Sequence, residues 1–164
     1  MTVKKMTELS LLTAVALILY VVESWLPMPV PIPGVKLGLA NIITVVCVYR
    51  FRPGEVTALV VARLLLGSFF AGTMSALLFS GAGALLCLMG MLFLKKILPE
   101  KYISLCSVLG AILHNIGQIL VAIYVMQDVR VVVYLPVLLV TGCIAGLFTG
   151  LCAKAVGLRI PKKC

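Results

Sequence analysis

Six stretches of the chain are apolar almost without a break, and none of them alternates. They cover about 9–26, 37–51, 54–71, 74–94, 103–127 and 131–153, and the segments between them hold most of the prolines and charges. A strand of a membrane barrel would place a polar residue at every second position. Continuous apolar runs approaching ~20 residues are instead what a helix needs to cross ~30 Å of hydrocarbon. The pattern predicts an all-α membrane protein: a six-transmembrane-helix bundle that forms a single integral membrane domain over 1–164.

The links between the runs carry their own signals. Pro27, Pro29, Pro31 and Pro33 alternate with apolar residues. A proline at every second position cannot be helical, so this segment reads as a stiff extended loop at the membrane surface. Gly72-Thr73 makes a tight link, and Pro136 predicts a bend in the last helix.

Polar residues inside the runs are few. In the fifth run His114 and Gln118 stand four apart and so share one helix face, with Asn115 to the side. Arg63 lies in the middle of the third run and Asn41 near the start of the second. Each helical residue rises ~1.5 Å, so counting residues sets Arg63 and His114 at similar depth near the midplane. Asn115, Gln118, Ser80 and Thr141 fall at that level or slightly outward, and Glu23, Lys36, Asn41 and Tyr134 fall in the outer third. Unpaired polar groups are costly in hydrocarbon, so these side chains should point into the bundle.

Composition strengthens the membrane assignment. With 63% hydrophobic and 12% charged residues and a mean hydropathy of +1.23, the chain has too little polar material to cover a soluble surface. Its principal partner is the lipid bilayer. The net charge of +9 sits in clusters that flank the runs rather than in a stripe interleaved with aromatics, which speaks against nucleic acid. Given six spans, eleven of the fourteen Lys and Arg fall on one side: Lys4, Lys5, Arg50, Arg52, Lys95, Lys96, Lys101, Lys154, Arg159, Lys162 and Lys163. The positive-inside rule then makes both termini cytoplasmic and the protein a multi-pass component of a bacterial cytoplasmic membrane.

The polar inventory points to a chamber reached from the outer side and capped by the proline-rich loop. Its balance is basic, which suits an anionic or strongly hydrogen-bonding small molecule. Arg63 would neutralise charge; His114, Asn115 and Gln118 would orient the ligand; Asn41 and Lys36 would close over it. Structural alternatives stay open: Arg63 in an ion pair with Glu23, the His114 cluster as interhelical glue, Asn41 as a packing or capping residue. Rows of small residues, Ser10 with Ala14, Ala58 with Ala62, and Gly142, Gly146 and Gly150, allow close helix approach. They serve either packing within the monomer or docking to a partner membrane subunit.

Catalytic and metal motifs are absent. The five acids Glu8, Glu23, Glu55, Glu100 and Asp128 are dispersed, a single histidine stands without aligned ligands, and no phosphate-binding loop or CxxC occurs. The expectation is a protein that is not an enzyme, with no cofactor and no metal. The six cysteines read as small core residues.

The run Gly34-Val-Lys-Leu-Gly-Leu-Ala-Asn-Ile-Ile43, the segment Ala62-Arg-Leu-Leu-Leu-Gly67, the block His114-Asn-Ile-Gly-Gln118 and Tyr134-Leu-Pro136 with the Gly142 to Gly150 row resemble the Gx transporter family, also labelled heptaprenyl diphosphate synthase component I. That family is similar to the substrate-binding S-components of energy-coupling factor (ECF) transporters. The resemblance implies six helices, cytoplasmic termini and an outer site capped by the first loop. It also implies a partner transmembrane subunit with ATPases, engaged through small residues on span one, here Ser10 and Ala14. Two further readings remain: an accessory membrane subunit in prenyl diphosphate and menaquinone biosynthesis, and a scaffold of a membrane electron-transfer assembly.

Overall fold

Helices account for nearly all of the computed structural model, which describes residues 3–25, 38–71 and 74–159. Along the chain come α1 (Val3–Trp25), α2 (Asn41–Arg50), α3 (Pro53–Ala71), α4 (Met74–Ile97), α5 (Ile103–Met126) and α6 (Leu135–Arg159). There are no strands among the described residues. Five of the six helices are long and apolar enough to cross a membrane. Their outward faces carry large apolar side chains such as Phe69, Leu78, Phe93, Tyr124 and Ile144, as a lipid-facing surface requires.

The exception is α2. A run over 37–51 was expected to span the bilayer, yet the helix has 10 residues, about 15 Å, half of the hydrocarbon thickness. Its start is fixed by Gly38, whose φ of +84° lies in the left-handed region that side-chain-bearing residues avoid. The chain then turns through Leu39 and Ala40 into the helix, with Asn41 N–H donating to the Gly38 carbonyl at 2.8 Å. Because α2 ends beside the start of α3, its N-terminus lies deep in the bundle rather than at a membrane surface.

The end of the bundle where α1 and α3 begin and α2 and α4 finish is tied by charge. Glu8 of α1 pairs with Arg50 of α2 at 2.7 Å, and Lys5 pairs with Glu55 of α3 at 2.7 Å. Lys95 of α4 donates to the Val48 carbonyl in the last turn of α2, a site where the helix dipole favours a cation.

The most extensive packing is that of α5 against α4 and α6. The Gly142, Gly146 and Gly150 row faces α5. A Cβ at Gly146 would come within 2.8 Å of Val108 Cα, and one at Gly150 within 2.7 Å of Ser104 Cα. All three glycines are buried, and the row serves packing inside the monomer. Pro136 also differs from expectation. It occupies the first turn of α6, after a 3-10 turn over Val129–Tyr134, where a missing N–H costs nothing, so it starts the helix instead of bending it.

Close approach of α5 and α6 predicts a sharp contrast between glycines. Gly146→Leu forces backbone apart and should lower stability by about 1–3 kcal/mol. Gly54→Ala, where a Cβ meets nothing within 4 Å, should leave it unchanged. Thermal unfolding of the two variants in one detergent checks this.

Candidate functional site

The deep N-terminus of α2 needs partners for the N–H groups that lead into it, and α1 supplies them. The Glu23 carboxylate accepts the Gly38 N–H through Oε1 and the Leu39 N–H through Oε2, the latter at 2.9 Å. Sequence reasoning offered Glu23 as an ion-pair partner for Arg63. Instead both carboxylate oxygens are engaged by backbone, and no ion pair within 4.0 Å joins the two residues among those described.

Arg63 is nevertheless close by. It projects from the middle of α3 and is 3% exposed, and its Nε has no hydrogen-bond partner among the described residues. Arg63, Glu23, Asn41, Ser80, Tyr20 and His114 line one small cavity of about 20 Å³, together with Gly38, Ala40 and Leu64. Five helices thus converge on a single polar pocket. Its volume accommodates about one water molecule.

The walls are built by close contact. On α4, Gly83 leaves space for the His114 ring, which a Cβ at that position would approach to 2.9 Å. Tyr20 of α1 lies over Gly67 of α3 and directs its hydroxyl at Ser80 Oγ, 3.4 Å away. Two charges of opposite sign and the positive end of a helix dipole therefore share a space with two hydroxyls, an imidazole and an amide. With a whole charge on each side and about half a charge from the dipole, the pocket leans positive.

The structure brings together only part of the expected constellation. Arg63, His114 and Asn41 meet in the cavity. Asn115 turns the other way and donates through Nδ2 to the Leu138 carbonyl of α6, so it joins helices rather than facing the pocket. Gln118 is fully buried one turn along α5 but is not part of the cavity wall. Thr141 bonds back to the Val137 carbonyl of its own helix. Lys36 and the proline-rich segment lie outside the described residues. Sequence reasoning missed Tyr20, whose only signal was an aromatic hydroxyl one turn before Glu23, and it left Glu23 and Ser80 out of the ligand set.

A second recess lies between α1 and α3. It is an open groove of about 620 Å³ lined by Leu9, Ser10, Ala14, Gly54, Ala58 and Ala62 among others. Ser10 and Ala14 are exposed there, unlike the glycines of α6.

Residues 12–156 match the family model of heptaprenyl diphosphate synthase component I. The chain belongs to that family. No curated protein and no solved structure matches it. The family match covers α2 to α5 completely, α1 from Leu12 onward and nearly all of α6, so every wall of the cavity lies within it. As a member of the heptaprenyl diphosphate synthase component I family with five long apolar helices, the protein is a multi-pass membrane component.

Asn115 and Ser80 separate the structural from the chemical part of this cluster. Asn115→Leu should cost about 1 kcal/mol of stability by removing the donor to the Leu138 carbonyl. Ser80→Ala, a small change on the cavity wall, should cost less than half of that. Equilibrium unfolding of both in the same membrane mimetic gives the comparison.

Proposed function

We propose that this chain is a non-enzymatic membrane binding component that captures the anionic group of a small or isoprenoid-linked molecule at the Arg63 cavity. One observation carries the reading: a guanidinium buried at the core of an apolar bundle, without an ion pair among the described residues, faces a polar cavity beside a helix N-terminus. Burying such a charge is expensive, and intramembrane ionisable groups of this kind mark ligand or ion pathways. Arg63 supplies charge, Asn41 and Ser80 supply adjustable hydrogen bonds, and His114 offers a second nitrogen donor or acceptor.

In this reading the basic end of the bundle, with the Glu8–Arg50 and Lys5–Glu55 pairs, faces the cytoplasm, in keeping with the distribution of Lys and Arg. The ligand enters from the opposite end. Because the cavity holds about one water, binding requires the walls contributed by α1 and α2 to separate. The exposed small residues Ser10 and Ala14, with Ala58 and Ala62 across the groove, suit a partner transmembrane helix, as in the ECF-type assembly that the S-component likeness implies.

A second reading has its own support. The family description refers to prenyl diphosphate synthesis, and the groove between α1 and α3 is apolar and large enough to hold part of a linear isoprenoid chain. An accessory subunit would hold the tail there while a synthase partner carries out the condensation.

Native mass spectrometry of the purified protein tests the first reading. A small anionic molecule should be retained by the wild type, and Arg63→Gln should weaken its retention at least tenfold, about 1.4 kcal/mol. A ligand held equally well by both would contradict the role of Arg63. Ala14→Leu, which fills the groove, should abolish capture of a partner subunit while leaving that ligand bound. If Ala14→Leu instead lowers prenyl product yield in cells and Arg63→Gln does not, the accessory reading holds.

A further inference from the structure

The carboxylate of Glu23 occupies the position an anionic ligand would be expected to take. It reaches from α1 onto the two backbone N–H groups that lead into α2, and Arg63 stands across the same cavity with its Nε unpartnered among the described residues. Glu23 is itself 2% exposed, so this is a buried carboxylate held by a helix N-terminus near a buried guanidinium. Two N–H donors side by side fit the two oxygens of one planar carboxylate.

We infer that Glu23 is a built-in competitor, and that the pocket takes the carboxylate of a small organic acid in exchange for the Glu23 side chain. The inference rests on Arg63 being an anion receptor and adds the ligand's chemical class and the event that admits it. The electrostatics favour exchange over simple addition. With Glu23 in place the cavity holds charges of both signs and room for about one water. With Glu23 displaced, the N–H pair, the dipole of α2 and Arg63 all point at one vacated space.

Geometry makes displacement feasible. Glu23 lies two residues before the end of α1, so the separation of α1 from α2 that ligand entry requires also draws its carboxylate off the N–H pair. Tyr20, one turn earlier, remains to cover the pocket from α1. A tetrahedral oxyanion such as phosphate makes a poorer replacement, because it needs more volume than the group it evicts.

Binding of acetate and of inorganic phosphate to the full-length protein in nanodiscs tests this, with the amide resonances of Gly38 and Leu39 and the Arg63 Nε resonance as reporters. Glu23→Gln removes the competing charge and should bind acetate about tenfold more tightly than the wild type, with phosphate improved less. Arg63→Gln should abolish both. Arg63-dependent acetate binding that is unchanged or weaker in Glu23→Gln would overturn the inference and leave the anion-receptor reading standing. Phosphate preferred over acetate would overturn the carboxylate assignment. Anion binding that ignores Arg63→Gln would remove the underlying reading as well. Should Glu23→Gln not fold, Glu23→Asp, one methylene too short to hold the N–H pair, gives the same test: tighter acetate binding supports exchange, and equal or weaker binding refutes it.

Discussion

A positive charge buried among lipid-facing helices must be balanced inside the protein, and the arrangement around Arg63 is organised by that constraint. Direct pairing with a carboxylate would be the simplest solution. Here the nearby carboxylate of Glu23 is committed to the backbone of Gly38 and Leu39, and Arg63 faces it across a cavity about the size of one water. The consequence is a polar centre that is nearly, but not fully, compensated, in a molecule whose interior is otherwise mainly apolar.

The half-length of α2 is what makes this centre possible. A full span would pass the midplane with all its N–H groups bonded internally. By starting only at Asn41 it leaves the Gly38 and Leu39 N–H groups of its lead-in turn and a positive dipole end at depth, where hydrocarbon forbids unpaired backbone and another helix must supply an acceptor. Glu23 satisfies that demand. The other walls follow from small residues: Gly83 admits the His114 ring, Gly67 admits Tyr20, and the glycine row of α6 lets that helix lie on α5.

Much of this was legible in the sequence, and the limits were physical. Continuous apolar runs identify membrane helices because hydrocarbon leaves few alternatives, and the described helices begin or end near most of the run boundaries. Depth counting placed Arg63 and His114 at one level, and both line the cavity. Rotation about the helix axis was harder to read. Asn115 follows His114 immediately, so the ~100° step between neighbours carries it away from the cavity onto α6. Gln118, although it shares the face of His114, lies one turn further along and misses the cavity wall. The start of α2 was misjudged because hydropathy does not register a left-handed glycine, and Gly38 looks like any small residue of an apolar run. The acceptor for its N–H groups comes from fifteen residues upstream, a pairing that no local pattern encodes.

The central claim is that Arg63 and Glu23 share one electrostatic environment through the pocket although they make no direct ion pair. A double-mutant cycle on stability, with Arg63→Gln, Glu23→Gln and the combined variant unfolded reversibly in the same bilayer mimetic, measures that directly. Coupling of more than about 1 kcal/mol, with the double variant less destabilised than the two singles together, is the predicted result. Additivity within about 0.5 kcal/mol would contradict it, because the two charges would then be buried independently.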